Sequence, residues 1–169
     1  MELKIPQFSI ENVVNKLNQV KDAIDKLPYN TTPTEPSENT TAVSSFFLKE
    51  CLFYQDFIRE MSNDLHLLTK AIEGHIANTP YLHTLMVDLY YSRVPQKWHK
   101  RCGGSLSLAR WLESLSSSVL SVQEYSISAP PVVRLGALIH QQAYLSCVMI
   151  DHVKSNTMTP HSLGFDIDM

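Results

Sequence analysis

Residues 44–76 read SSFFLKECLFYQDFIREMSNDLHLLTKAIEGHI, and the placing of their apolar side chains decides the fold class. Phe47, Cys51, Tyr54, Ile58, Met61, Leu65, Leu68 and Ile72 recur at alternating steps of four and three. A helix turns once every 3.6 residues, so this spacing lines all eight along one side of a single long helix. Phe46, Phe53, Phe57 and Leu67 widen the stripe beyond the seam of a two-stranded coiled coil, so the helix is expected to touch more than one partner.

Shorter helical signals lie on either side. Ser9 can cap a helix carrying Ile10, Val13, Val14, Leu17, Val20, Ile24 and Leu27, which stops at Pro28. Tyr29 to Val43 holds Pro33, Pro36 and many Thr and Ser, and reads as a loop or linker. Thr79-Pro80 is a helix start, running through Leu82, Leu85, Met86, Leu89 and Tyr90 to about Ser92, and Val94-Pro95 breaks it. After Gly103-Gly104 the spacing predicts a helix from Ser105 or Ser107 with Leu108, Trp111, Leu112, Leu115, Val119 and Val122, ended by Ala129-Pro130-Pro131. A last helix is expected from about Gly136 to Lys154. Residues 163–169 alternate apolar and acidic side chains in the manner of a strand. The expected fold is therefore mainly α, a multi-helix, bundle-like domain with a strand-like C-terminal end.

Bulk properties narrow the function classes. A length of 169 residues suffices for one domain, or two at most, and 44% hydrophobic with 18% charged residues is a globular composition. A net charge of -3 argues against nucleic acid as a partner, because phosphate contacts need a basic face. No run of about 18 apolar residues and no polybasic patch points to a membrane, and the N-terminus has no signal-peptide pattern. Three widely spaced cysteines, Cys51, Cys102 and Cys147, suit a reducing compartment better than a disulfide framework. Two glycosylation triplets, at Asn30 and Asn39, lie where Thr and Asn abound, and without a secretory signal they are read as chance.

Sites of chemistry are not evident. Gly103-Gly104 lacks the Lys-Ser or Lys-Thr of a phosphate loop. His99 and Cys102 have a metal-like gap, yet no second pair completes a zinc set. Cys51 lies on the apolar seam, where a thiol acts as a small hydrophobe. No GxSxG turn occurs, and Asp166 with Asp168 has no visible pocket. No catalytic, cofactor-binding or metal-binding residue is assigned. Trp98 and Trp111 are read first as packing anchors and second as interface anchors.

Several phrases, in order, resemble the C-terminal region of dynein heavy chains. Phe57-Ile58-Arg59 through Thr69-Lys70-Ala71-Ile72-Glu73-Gly74 is similar to that family's long helix, and Val94-Pro95 followed by Trp98 resembles its Val-Pro-x-x-Trp step. Leu108-Ala109-Arg110-Trp111-Leu112 resembles its Leu-Gly-x-Trp helix. Pro130-Pro131-Val132 and Leu135, then Gln142-Ala143-Tyr144-Leu145, resemble its Pro-Pro-Val-Phe-Trp-Leu and Gln-Ala-Phe-Leu phrases. Leu163-Gly164-Phe165-Asp166 is similar to the first strand of its terminal β-barrel. Arg134, Ala137 and His140 depart from the family's usual Trp, Gly and Phe, which marks a divergent member.

The resemblance implies a division into residues 1–43 (a helix and a Thr/Pro/Ser-rich loop), 44–162 (the helical part of the C-terminal domain) and 163–169 (the beginning of a truncated barrel). It implies packing or interface roles for Leu65, Leu68, Ile72, Trp98, Trp111, Pro130, Pro131, Gln142, Tyr144 and Phe165. It further implies a non-catalytic, regulatory segment of a minus-end-directed microtubule motor in the cytoplasm, on the cytoskeleton, with a leaning towards a ciliary or axonemal member. ATP and Mg²⁺ would bind elsewhere in the parent chain. The partners would be AAA+ ring modules of the same heavy chain and dynein complex subunits, with microtubules reached through other regions. A stand-alone helical interaction module is the rival reading, since up-and-down bundles show the same seams; a secreted cytokine-like helical protein and an enzyme rank below it.

Overall fold

The N-terminal amides of the longest helix show how its start is set. In a computed structural model, which describes residues 9–28, 40–128 and 130–156, helix α2 runs over Ala42–Ile72. Ser44 donates its amide to the Thr41 hydroxyl at 3.2 Å, while Ala42 and Val43 donate theirs to the two carboxylate oxygens of Asp151, each at 2.8 Å. These amides have no partner inside the helix, and a carboxylate there also meets the positive end of the helix dipole. The helix therefore begins slightly earlier than its apolar spacing suggests. It ends earlier too. Gly74 adopts φ +77°, and the bonds from Gly74 to Ala71 and from His75 to Lys70 close a left-handed cap that stops the helix short of Ile76.

The other helices are α1 over Ile10–Asp25, α3 over Pro80–Tyr90, α4 over Gln96–Cys102, α5 over Leu108–Ile127 and α6 over Gln141–Asn156. The protein is mainly helical, and among the described residues the only β pairing is an isolated antiparallel bridge between Arg93 and Ser107. Ser9 caps α1 and Thr79 caps α3 through their hydroxyls, as their positions predict.

Two elements differ from expectation. Helix α4 has no apolar periodicity, because Trp98 is its single buried residue. The expected start of the last helix at Gly136 is corrected to Gln141, after a short 3-10 turn at Leu135–Ala137. The reason is polar: the Ile139 amide donates to Glu50 at 2.8 Å and so is withdrawn from any helical ladder. The expected strand over residues 163–169 lies outside the described residues.

Two compact units share the sequence. One contains α1, α3, α4, α2 from Tyr54 onward and α5 as far as Leu120. In it α1 packs against α3, burying Val13, Leu17, Val20 and Ile24 on one side and Leu82, Leu85 and Leu89 on the other. Lys21 also reaches Thr69 at 3.1 Å. The other contains α2 as far as Phe53, α5 from Ser121, the 3-10 turn and α6. There Tyr144 packs against Phe46 and Phe47 with ring centroids 5.6 and 5.7 Å away, and Tyr125 lies 5.4 Å from Phe47. No residue of α6 is fully buried.

Candidate functional site

Two charge pairs at one-turn spacing build the main polar site, in the first unit. Glu60 and Asp64 lie four residues apart on α2, and Lys97 and Arg101 lie four apart on α4. Residues at this spacing share a helix face, so two acids can meet two bases. Lys97 binds Glu60 at 2.8 Å and both oxygens of Asp64 at 3.3 Å, and Arg101 binds Glu60 at 3.0 Å. Asp64 is only 4% exposed, and its Oδ2 also accepts the Trp98 indole N–H at 2.9 Å and the Tyr81 hydroxyl at 2.7 Å. One carboxylate thus ties together α2, α3 and α4.

Titration follows from this packing. Burial, then the bond to Asp64, pushes the Tyr81 hydroxyl well above the usual tyrosine range. Burial alone would lower the Lys97 pKa, but the bond to Glu60 and the charge of Asp64 outweigh it and hold the ammonium above its ordinary value. Both groups keep their protons at neutral pH.

Beneath the polar layer the two tryptophans stack, with centroids 6.1 Å apart and planes 17° from parallel. Trp111 donates its indole N–H to the Gly103 carbonyl at 2.8 Å. Gly104 beside this indole adopts φ +90°, a conformation that side-chain-bearing residues rarely take. Phe57 meets Trp111 edge to face at 6.1 Å, and Arg101 lies over the Phe57 ring at 5.6 Å.

A second polar centre lies in the other unit. Glu50, 1% exposed, accepts the Ile139 amide and pairs with Nδ1 of His140. The His140 ring also meets Phe53 edge to face at 5.3 Å. His140 thus makes both a ring contact and a polar one. Among the described residues no buried side-chain polar atom lacks a partner, and no group of three metal-ligating side chains is present.

The sequence-derived candidates fall into different settings. Leu65, Leu68, Trp98 and Trp111 are buried in the first unit, where Ile72 is half-buried. In the second unit Tyr144 and Pro130 are half-buried, while Pro131 and Gln142 are exposed. Phe165 lies outside the described residues. Trp98 and Trp111 are brought into contact, as are Phe57 and Trp111. Asp64, Glu50 and Asp151, which tie distant segments together, were not singled out from the sequence, although Glu50 sits among Phe46, Phe47, Phe53 and Tyr54 at one-turn spacing. A further local signal is the matched one-turn spacing of Glu60 with Asp64 and of Lys97 with Arg101.

Trp98 and Tyr81, pinned to a long helix by the carboxylate of Asp64, describe a helical packing module. The sequence pattern of the C-terminal domain of dynein heavy chains matches residues 4–169, and the protein belongs to that family. It is 24% identical over 136 residues to dynein axonemal heavy chain 12 of Mus musculus, covering 79% of this chain and 4% of that protein. The human protein of the same name is 24% identical over 160 residues, covering 90% of this chain and 5% of that protein. A cytoplasmic dynein heavy chain of Dictyostelium discoideum is 29% identical over 93 residues, covering 53% of this chain and 2% of that protein. The sequence thus spans at most a twentieth of the length of these relatives.

Proposed function

We propose that this protein acts as a non-catalytic structural and regulatory segment of a dynein heavy chain, within a minus-end-directed microtubule motor. The family match along residues 4–169 carries the reading. The use made of buried charge supports it: Asp64 and Glu50 are both committed to bonds between segments of the fold. A general acid or base needs a carboxyl free to meet a substrate proton, and these two are already engaged. In this reading ATP and Mg²⁺ are held by modules elsewhere in the heavy chain. The partners are AAA+ ring modules of the same polypeptide and other dynein subunits, microtubules are reached through other regions, and the setting is the cytoskeleton or the cilium. Residues 44–162 act as the helical part of the domain, and 163–169, including Phe165, as the beginning of its barrel.

The test is the mass of the native protein, by immunoblot with an antibody raised against residues 44–92. A band many times larger than 19.2 kDa is expected. A band near that mass would replace the motor reading with a stand-alone helical interaction module. In the large polypeptide, Asp64→Ala is expected to change microtubule gliding velocity while ATP hydrolysis continues. Complete loss of hydrolysis, with the protein still folded, would move Asp64 into the catalytic machinery.

A further inference from the structure

Helix α6 is held to the second unit unevenly. The turn leading into it is fixed: Ala137 and Leu138 are buried, and Glu50 takes the Ile139 amide at 2.8 Å and pairs with His140. Beyond His140 the helix has no fully buried residue, whereas α1 and α3 of the other unit bury four and three. It meets the start of α2 through Tyr144 and Asp151, seven positions apart and so on one face of a helix. The Tyr144 ring lies 5.6 and 5.7 Å from those of Phe46 and Phe47, and the Asp151 carboxylate takes the Ala42 and Val43 amides. The surface beneath has support of its own. Phe47 also meets Tyr125 of α5 at 5.4 Å, and Cys51 donates its thiol to the Val122 carbonyl at 3.6 Å. Those contacts join α2 to α5 and do not involve α6.

We propose that α6 is a strap that lifts from α2 as a unit, pivoting after His140, and that the seat it uncovers accepts a partner helix carrying an aromatic ring and, seven residues later, a carboxylate. Elements that open locally are those with few buried apolar side chains, and α6 is such an element. The seat specifies its occupant. Phe46 and Phe47 take a ring, and the amides at the start of α2, at the positive end of the helix dipole, take an anion. A helix without the ring would leave Phe46 and Phe47, now 5% and 1% exposed, open to water. While it is down, α6 is a tethered competitor at an effective concentration on the order of millimolar. A partner therefore gains the seat only by favouring the open state. The device lies within the second unit and does not depend on the protein working within a motor.

The three cysteines report on separate parts: Cys147 on α6, Cys51 where α2 meets α5, and Cys102 at the end of α4 in the first unit. Labelling the 169-residue protein with N-ethylmaleimide, followed by peptide mass mapping, gives a rate for each. Burial, then the charge of Asp151, holds the Cys147 thiol above its ordinary value, so Tyr144→Ala, which keeps that charge, is the variant to label. It should speed Cys147 by about fivefold or more and change Cys51 and Cys102 by less than about twofold. No change at Cys147, or equal acceleration at all three, overturns the proposal. The seat is probed with a fluorescein-labelled peptide of α6, Gln141 to Asn156 with Cys147→Ser, followed by fluorescence anisotropy. Saturable binding is expected to the Asp151→Ala and Tyr144→Ala proteins, at least about fivefold tighter than to the unaltered protein. The same Asp151→Ala change made in the peptide should weaken binding by a similar factor. Absence of saturable binding to both protein variants, or undiminished binding by the Asp151→Ala peptide, overturns the proposal.

Discussion

The indole nitrogen of Trp98 donates to the buried carboxylate of Asp64 across 2.9 Å, although the two residues are 34 positions apart in sequence. That bond sets the place of α4, a seven-residue helix with one buried side chain. Short helices are marginal without tertiary support.

Removing the carboxylate should therefore loosen α4. Asp64→Ala leaves Trp98 Nε1 and the Tyr81 hydroxyl without their acceptor, and a buried donor so stranded costs about 1–3 kcal/mol. The expected loss of stability is about 3 kcal/mol, with a smaller loss for Asp64→Asn, whose amide oxygen can still accept. Urea denaturation measures it. A change below about 0.5 kcal/mol in Asp64→Ala would show that the bonds do not hold the helix.

The seam of α2 makes a second test. Leu65 and Leu68 are buried, whereas Leu67 on the same turn is 41% exposed. Leu65→Ala and Leu68→Ala should each cost about 2–5 kcal/mol, and Leu67→Ala well under half of that. Similar thermal stability in all three variants would contradict the assigned face.

Asp151 joins α6 to the start of α2 through two amides. Losing a helix cap costs about 0.5–2 kcal/mol. Asp151→Ala should speed hydrogen exchange at Ala42 and Val43 while leaving amides near Leu65 protected. Unaltered exchange at both positions would mean that other acceptors serve these amides.

Alkaline pH should destabilise the first unit. Tyr81 and Lys97 bind their protons more tightly in the folded protein than in the unfolded one, so the stability they add is present below about pH 10. It is lost as the pH rises through their folded values. Thermal melts should stay level with respect to these groups up to about pH 10 and fall above it, and Tyr81→Phe should make the fall shallower. An identical slope in Tyr81→Phe would assign the effect to other groups.

Ser92 offers a stabilising change. It is the only described non-glycine residue at positive φ, at 54°, and it closes α3 through bonds from Ser92 to Leu89 and from Arg93 to Asp88. Glycine adopts that conformation without the Cβ clash, so Ser92→Gly should raise stability by up to about 1 kcal/mol. A lower melting temperature would show that the serine side chain matters more than its backbone.

Much of the helical framework was legible locally. The caps at Ser9 and Thr79 follow from hydroxyl chemistry at the first turn, and the side that α2 buries follows from the spacing of Tyr54, Ile58, Met61, Leu65 and Leu68. Helix α4 was not legible, because a single buried tryptophan has no period. The irregular stretch before α6 was not legible either, because the group that takes the Ile139 amide is Glu50, 89 positions earlier.

The sequence by itself determined where α1, α2, α3 and α5 form, and which of their faces are apolar, since both depend on side chains within a few positions of each other. Its ordered phrases also pointed to the family. Only the tertiary structure decided where buried charge goes. Glu50 and Asp64 interrupt the apolar side of α2, and they and Asp151 acquire their roles from donors 17 to 109 positions away. A carboxylate's partners are set by which segments arrive beside it, and that is a property of packing that no local period encodes.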